Sequence, residues 1–455
     1  MDRKKHVVVL MCDQMQAQRL GCVDPVASTP NLDRLAAEGI HCSHLVSAHG
    51  QCVPSRASFV TGRYPHECGV MVNYGFHGHQ GRLTPRYRTL GHVFGEAGYR
   101  TVYFGKCHFG VPLVELGFAE GRDYDGVKID DDEAARLGLG HVPPALRRDY
   151  LAAREAADFL RDFEDDCRPL FFVFSTNMPH PPFFSDPDFA GAFAAEALEL
   201  PPSYYAEDFD GKPAFQKEHA EDGRHGAGDE ARAREELAQY YSMIAATDAH
   251  MGALMDICRR RGLWDDALAL FFADHGDMMA AHRMRLKGTL PYEEIFRVPC
   301  LFKLPRGIEP VRRRVDDLLS SVQLAGTLAR GAGVETDAFA HGDFYDAFFA
   351  AEAPAEECVF FEHYAAYWGT HPFYGARDRR YKYVRYYGPD AEAELYDLKE
   401  DPHELRNLAG RPESAPTEER LAAAAAAWWR GSDGRDFAYY DSDFFRGNGH
   451  NLRPA

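Results

Sequence analysis

Short runs of apolar residues alternate with amphipathic segments along most of the chain. Four runs consist mainly of β-branched, aromatic and other apolar residues: HVVVLMC (6–12), RTVYFG (100–105), LFFVFST (170–176) and ALALFFA (267–273). Runs of this length and composition predict strands that are buried on both faces, as in a parallel sheet.

Segments with helical periodicity lie between these runs. In TPNLDRLAAEG (29–39), Thr29 occupies the N-cap position, Pro30 opens the helix and Gly39 ends it, a typical set of helix boundaries. Further helices are predicted in TLGHVFGEAGY (89–99), near 147–164 and near 232–261. Helices that alternate with buried strands predict an α/β fold, with a mainly parallel central sheet sandwiched by helices.

Two segments interrupt this alternation, and a different pattern follows it. Residues 110–145 and 183–232 are rich in Gly, Pro and acids, which is typical of surface insertions that select substrates. Beyond about residue 355, CVFFEHY, FYGARD, RYKYVRYYG and AELYDL predict a small antiparallel sheet, followed by a helix around EERLAAAAAAWWRG. We therefore expect a catalytic α/β domain over 1–355 and a smaller C-terminal subdomain over 356–455.

The C-terminal tail, DFAYYDSDFFRGNGHNLRPA, is rich in aromatic residues. Aromatic side chains at this density are expected to pack on other protein surface. We expect the tail to cover part of the functional site or to contact a second subunit in a homo-oligomer.

Composition restricts the classes of partner. The chain has 455 residues, 45% of them hydrophobic, and a net charge of −19, which indicates a folded protein and excludes broad binding to nucleic acid or to an anionic membrane surface. Its ten cysteines show no paired spacing, so neither a disulfide framework nor a zinc knuckle is expected. The apolar run at 7–11 is too short for a signal peptide, and we expect a cytoplasmic protein without membrane spans.

Polar residues follow each of the four buried runs directly. They are Asp13 and Gln14; Lys106, Cys107 and His108; Asn177 to His180; and Asp274, His275 and Asp277. In an open α/β sheet, ligands bind beyond the carboxyl ends of the strands. Four strands that each end in such residues predict one shared site.

The residue types at these ends predict a cation site beside an anion site. Asp13, Gln14, Asp274 and His275 offer mainly oxygen ligands, which suits Ca²⁺, Mg²⁺ or Mn²⁺ better than Zn²⁺. The cations Arg56, Lys106 and Lys287 would bind a tetrahedral oxyanion. A helix that begins at Cys52 would add backbone N–H groups and the positive end of its dipole.

The stretch Cys52-Val53-Pro54-Ser55-Arg56, with Thr61-Gly62-Arg63 after it, resembles the signature of the sulfatases. The similarity continues in GKCHFG (105–110), PHPP (179–182), DHGD (274–277), RLKG with Lys287, and ELYDLKEDPHELRNLAG (394–410). The resemblance implies the fold of the alkaline phosphatase superfamily and the hydrolysis of sulfate monoesters. It also implies that a formylglycine-generating enzyme oxidises the cysteine to formylglycine.

The resemblance also implies a nucleophile and a metal site. One hydroxyl of the hydrated formylglycine at position 52, polarised by the metal and Arg56, attacks sulfur. One divalent cation, most simply Ca²⁺, is bound by position 52 together with Asp13, Gln14, Asp274 and His275.

Proton transfers are implied for other residues of the same motifs. His180, with Lys287 nearby, protonates the departing alcohol, and His108 removes the proton of the second hydroxyl so that sulfate is expelled. Lys106 and Lys287 neutralise the sulfate oxygens. Asn73, Lys106, His180 and Lys287 are the expected substrate contacts.

Two departures from the common pattern leave the ester open. Asp13-Gln14 and Asp274-His275 stand where many sulfatases carry Asp-Asp and Asp-Asn. The same variant, with a polar residue in the place of Asn73, resembles phosphonate monoester hydrolases. Lys106 and His108 favour a sulfatase, because those hydrolases carry uncharged hydroxyl residues there.

Three other functions are compatible with parts of the pattern. The nearest is a phosphonate monoester or phosphodiester hydrolase on the same scaffold. A cysteine hydrolase would use Cys52 with a histidine but would not explain Asp13, Asp274 or the lysines. A non-catalytic anion-binding protein would keep Cys52 unmodified. The motifs leave sugar, aryl, choline-like and alkyl sulfates open as substrates, and His49, His66, Asp277 and His282 are expected to be supporting or structural residues.

Overall fold

The computed structural model describes residues 4–73, 75, 78–84, 86–164, 167–351, 358–366, 369–388 and 392–447. Its strands are β1 (His6–Cys12), β2 (Ile40–Val46), β3 (Arg100–Gly105), β4 (Glu120–Asp123), β5 (Leu170–Ser175), β6 (Ala267–Ala273), β7 (Arg297–Val298), β8 (Cys300–Lys303), β9 (Arg314–Ser320), β10 (Val359–His363), β11 (Phe373–Arg377), β12 (Tyr381–Tyr386) and β13 (Ala393–Asp397). Its α-helices are α1 (Pro30–Glu38), α2 (Cys52–Thr61), α3 (Pro65–Cys68), α4 (Leu90–Glu96), α5 (Asp131–Arg136), α6 (Arg147–Asp162), α7 (Pro202–Ala206), α8 (Ala214–Glu221), α9 (Glu230–Arg260), α10 (Glu293–Phe296), α11 (Leu324–Gly331), α12 (Ala415–Gly431), α13 (Phe437–Tyr440) and α14 (Asp443–Arg446).

The first nine strands form one large sheet, in the order β4-β3-β5-β1-β6-β8-β2-β7, with β9 paired to β2. Strands β4, β3, β5, β1 and β6 run parallel to one another. Strand β8 is antiparallel to both β6 and β2, so β2 points the same way as the central strands. The expected α/β fold with a mainly parallel central sheet is confirmed.

The register brings the carboxyl ends of the central strands to one level. Met11 of β1 lies opposite Ser175 of β5, and Cys12 lies opposite Ala273 of β6. Gly105 at the end of β3 also pairs with Ser175, where a Cβ would come within 1.8 Å of the Ser175 carbonyl oxygen. Glycine is therefore required just before Lys106, and the residues after all four strands emerge at the same edge.

The four predicted buried strands and the four predicted helices are present within three residues of the expected bounds. The helix start at Thr29 differs in detail. Thr29 precedes the helix, but its side chain makes no capping bond to it. The Asp248 carboxylate instead accepts the backbone N–H groups of Asn31, at 3.2 Å, and Leu32, at 2.8 Å.

The predicted insertions contain more regular structure than expected. Residues 110–145 include β4, which extends the sheet beside β3, and α5. This edge strand reads EGRD and is mostly exposed, so it lacks the apolar run that would reveal it. Residues 183–232 include α7, α8 and the start of α9.

A second, four-stranded antiparallel sheet has the order β10-β11-β12-β13, and α12 packs on it. This arrangement confirms the smaller C-terminal sheet and its helix. The predicted domain boundary at 355/356 lies outside the described residues and stays a prediction.

The described part of the aromatic tail packs on the chain itself. Tyr440 and Phe445 join a buried cluster with Met71, Val72 and Trp429, beside Asn73. Residues 448–455 of the tail lie outside the described residues. Among the helices that the structure describes, none has the length and apolar character needed to cross a membrane.

Candidate active site

Cys52 begins α2 at the carboxyl edge of the large sheet. Every residue of this helix is buried, so the helix is held on all sides. The Asn73 side-chain oxygen accepts a hydrogen bond from the backbone N–H of Val53 at 3.0 Å and thereby caps the helix. The predicted substrate residue Asn73 therefore also positions Cys52.

Residues that follow three different strands, together with Lys287 from the segment between β6 and β7, surround the sulfur of Cys52. The Lys287 Nζ lies 3.2 Å from it, the His275 Nε2 3.3 Å, and the Lys106 Nζ 4.0 Å. Its thiol lies 3.6 Å from the Asp13 Oδ1. Burial and Asp13 raise the pKa of the Cys52 thiol, but the three cationic or imidazole neighbours outweigh them and the pKa is lowered.

Four of the predicted metal ligands meet at one point. Asp13, Cys52, Asp274 and His275 each offer one ligand atom, and these atoms all lie within 4.8 Å of one another. Two carboxylates and an imidazole in such a space suit a divalent cation that prefers oxygen. The donor set therefore fits the predicted metal.

Gln14, the fifth predicted metal ligand, extends its side chain toward the group formed by the other four. Its amide nitrogen donates a hydrogen bond to Asp277, and its amide oxygen accepts one from Lys287. Asp277 also accepts the backbone N–H of Leu286 at 3.0 Å. Asp277 thus turns the oxygen of Gln14 toward the ligand cluster and anchors the segment that carries Lys287, as expected for a supporting residue.

Arg56 ties the strand ends together. Its Nε donates to the Asp274 Oδ2 at 2.7 Å, and its Nη2 lies 3.3 Å from the Asp13 Oδ2. Its Nη1 donates to the Lys106 carbonyl at 2.7 Å and to the Ser175 hydroxyl at 2.9 Å. The guanidinium is therefore engaged on all three nitrogens and holds both carboxylates in place.

The buried charges of this cluster balance one another. Its three carboxylates are Asp13, Asp274 and Asp277, and its three cations are Arg56, Lys106 and Lys287. Buried charges are stable only when they are paired in this way. A bound divalent cation would add two positive charges, so the complete site would attract an anion.

His180 and His108 border the cluster and are kept neutral. The Nδ1 of His180 donates to the Pro181 carbonyl at 2.6 Å, which leaves Nε2 as the other ring nitrogen for chemistry. Burial first, and then Lys287 and Lys106, lowers the pKa of His180 well below its ordinary value. Burial together with Lys106 does the same for His108, whose Nε2 lies 4.0 Å from the Asp125 Oδ2.

Other predicted or overlooked residues have supporting contacts. His66 pairs with Glu362, and His282 with Glu207, which agrees with the expected structural roles. Two serines that the strand-end pattern did not single out, Ser47 and Ser55, donate to the Asp274 carbonyl at 2.7 and 2.6 Å. The sequence marks Ser55 only through its place in the Cys52–Arg56 stretch.

Asp149 is a third overlooked residue. This buried carboxylate of α6 contacts the backbone just before His180. Its only sequence signal is an acidic residue in the first turn of a helix, which is common.

Two family models match most of the chain. The model described as "Sulfatase" matches residues 5–334. The model described as "N-sulphoglucosamine sulphohydrolase, C-terminal" matches residues 284–427.

Individual proteins agree with these matches. The ulvan-active sulfatase of Formosa agariphila is 27% identical over 448 residues, which cover 92% of this chain and 80% of that protein. A solved structure in complex with its substrate D-glucosamine-2-N,6-O-disulfate has a TM-score of 0.77 at 18% identity and covers 94% of this chain and 98% of its own. The phosphonate monoester hydrolase of Agrobacterium radiobacter has a TM-score of 0.77 at 21% identity, with 96% and 97% covered.

The two structural neighbours share the fold, and the family model is the more specific finding. It spans the segments that contain Asp13, Cys52, Lys106, His180 and Asp274. The chain belongs to the sulfatase family of the alkaline phosphatase superfamily, and it is a sulfuric ester hydrolase.

Proposed function

We propose that the protein hydrolyses sulfate monoesters with a formylglycine formed from Cys52 and with one divalent cation, most simply Ca²⁺. The observation that carries the proposal is the position of Cys52. Its sulfur lies at a buried helix N-terminus, within 4.0 Å of two lysine Nζ atoms, one imidazole and one carboxylate. This environment has the charge and the donors needed to bind a tetrahedral anion at that residue.

Two groups complete the chemistry. The hydrated formylglycine supplies two hydroxyls on one carbon, and the cation supplies Lewis acidity and positive charge. Asp13, Gln14, Asp274 and His275 would hold the cation, and Arg56 keeps the two carboxylates oriented toward it. Maturation would require a formylglycine-generating enzyme.

Lys106 and Lys287 would bind the sulfate oxygens. Their Nζ atoms approach Cys52, at 4.0 and 3.2 Å. Both side chains are almost wholly buried, so their charges act in a medium of low dielectric constant. Interactions of this kind stabilise charge that develops on the sulfate as the ester bond breaks.

The neutral histidines are assigned to proton transfer. A neutral His108 can accept a proton from a hydroxyl at position 52. For His180 to donate to the leaving oxygen, its Nε2 must first be protonated, and a bound anionic ester would favour this by offsetting Lys106 and Lys287. Despite burial, contacts with Cys52 and Asp13 raise the pKa of Lys287, so its side chain stays charged beside the site and is a weaker acid than an ordinary lysine. It is the alternative proton donor if His180 does not act.

The substrate class follows from relatives rather than from the cluster itself. Names of relatives such as the ulvan-active sulfatase, and a structural neighbour that binds a disulfated glucosamine, support a glycan or sugar sulfate. A small-molecule sulfate ester is compatible with the same cluster. A cytoplasmic location and a homo-oligomer remain predictions.

The nearest alternative is hydrolysis of phosphonate monoesters, because phosphonate hydrolases share this fold. Sulfate monoesters should be turned over with a higher kcat/KM than phosphonate monoesters, because Lys106 and His108 are retained at the site. Steady-state kinetics with 4-nitrophenyl sulfate and a 4-nitrophenyl phosphonate check this, since both release the same phenolate. A reversed preference would support the phosphonate alternative. A Cys52 that stays an unmodified thiol even in the presence of a formylglycine-generating enzyme, together with no turnover of either ester, would support the non-catalytic anion-binding protein.

Removal of the metal should lower both activity and thermal stability. A ligand that binds only the folded state at about 100 times its Kd stabilises it by about 2.7 kcal/mol. Treatment with a chelator, followed by addition of Ca²⁺, Mg²⁺ or Mn²⁺, would show which ion restores kcat/KM and Tm. Full activity in rigorously metal-free protein would contradict the metal assignment.

Matched variants localise that metal effect. Asp13→Asn and Asp274→Asn should reduce the rise in Tm that Ca²⁺ causes. Asp186→Asn is the control, because Asp186 is a buried carboxylate that binds the Tyr150 hydroxyl away from the cluster. That variant should keep the full response to Ca²⁺.

A further inference from the structure

The turn before His180 is held by a residue that is not part of the charged cluster around Cys52. Asp149, in the first turn of α6, is 2% exposed. Its Oδ1 accepts the backbone N–H of Asn177 at 2.6 Å, and its Oδ2 accepts that of Met178 at 3.2 Å. One carboxylate therefore binds two consecutive amides just before His180.

The same turn connects His180 to the rest of the site. The His180 backbone N–H donates to the Asn177 carbonyl at 2.9 Å, and the Asp13 N–H lies 3.3 Å from the Met178 carbonyl. The turn on which Asp149 acts therefore carries His180 at one end and contacts the Asp13 backbone at the other.

The start of α6, which carries Asp149, is itself held in place by hydrogen bonds. Its neighbour Arg147, 4% exposed, donates to the carbonyls of Val142 and Ile129 at 3.0 Å each and fixes the start of α6 to the first insertion. Burial raises the pKa of Asp149 to about 6, while the bound amides and the nearby Arg148 and Lys106 oppose that rise.

We propose that Asp149 is a positioning residue that sets the place of His180 by binding the amides of Asn177 and Met178. The inference rests on the proposed function only for what His180 does. The physical argument is geometric, since a carboxylate can accept two N–H groups at once. An asparagine offers one acceptor oxygen and would turn its own N–H₂ group toward the second amide.

The test is a double-mutant cycle with a leaving-group series. Misplacement of a catalytic group by about 1 Å can cost about 10²-fold. Asp149→Asn should therefore lower kcat/KM on an alkyl sulfate by about 10- to 10²-fold, with less than about twofold on 4-nitrophenyl sulfate and with KM nearly unchanged. In the His180→Ala background, the same change should cost less than about twofold, because residues that act through one another are not additive.

The chain contains a matched control for this experiment. Asp248 is 1% exposed and also binds two consecutive amides, those of Asn31 and Leu32, at the start of α1. Burial raises its pKa to about 6 as well. Asp248→Asn should lower Tm by a similar amount and leave the leaving-group dependence unchanged. If Asp149→Asn does not fold, Asp149→Glu keeps two acceptor oxygens, shifts them by one methylene and allows the same comparison.

Two outcomes would overturn the proposal. One is a loss of kcat/KM in the Asp149 variant whose dependence on the leaving group differs from that of His180→Ala. The other is a full further loss in the His180→Ala background. The cycle tests positioning whichever step His180 serves, whereas the leaving-group slope of His180→Ala alone tests its acid role, so the two can fail separately.

Discussion

Replacing Cys52 by alanine should abolish turnover of every sulfate ester and leave the protein folded. Removal of an enzymatic nucleophile can cost about 10⁶-fold in rate, and alanine cannot be converted to formylglycine. The side chain that is lost is small, and the helix it begins is buried on all sides and capped by Asn73. Circular dichroism and Tm would verify the fold, and kcat/KM on 4-nitrophenyl sulfate would measure the loss.

Peptide mass spectrometry tests the same assignment directly. Protein produced together with a formylglycine-generating enzyme should carry an aldehyde, or its hydrate, at position 52. Cys68→Ala is the matched control, because Cys68 is also buried and its thiol donates to a backbone carbonyl, that of Pro65, at 3.6 Å. Full activity of protein in which position 52 is wholly unmodified thiol would refute the mechanism.

Replacing His180 by alanine should have an effect that depends on the leaving group. An alkoxide leaves poorly without a proton, whereas a nitrophenolate leaves well unaided. General acid catalysis is worth about 10²- to 10⁴-fold, so a large part of that factor should be lost on an alkyl or sugar sulfate and little on an activated aryl sulfate. A plot of log kcat/KM against the pKa of the leaving alcohol should be steeper for the variant than for the parent.

The position of His180 makes this a sharp test. Its Nδ1 is bound to the Pro181 carbonyl, so only Nε2 can act on a substrate. Lys287 is the competing proton source, and its Nζ lies 3.2 Å from the Cys52 sulfur. Equal losses across the leaving-group series would transfer the acid role to Lys287 and leave His180 a role in binding or folding.

The sequence alone determined the sheet and the edge at which the site lies. Apolar runs of strand length mark the four central strands, because a strand buried on both faces reads as a nearly continuous apolar run. Since parallel strands end at one edge, the residues after them had to converge. Asp13, Lys106 and Asp274 could therefore be grouped before any contact was known, and the Cys52–Arg56 stretch identified the family.

Only the tertiary structure decided which residues hold the others in position. Asp277 orients the amide of Gln14 across 263 positions of chain, and Arg56 reaches Asp274 across 218. Asp149, on helix α6, accepts a hydrogen bond from the backbone of the turn before His180. The exposed edge strand β4 has no apolar run of its own, and its pairing with β3 is visible only in the structure. Local patterns report burial and periodicity, but hydrogen bonds between distant segments exist only after the chain has folded, so the supporting contacts had to be read from the structure.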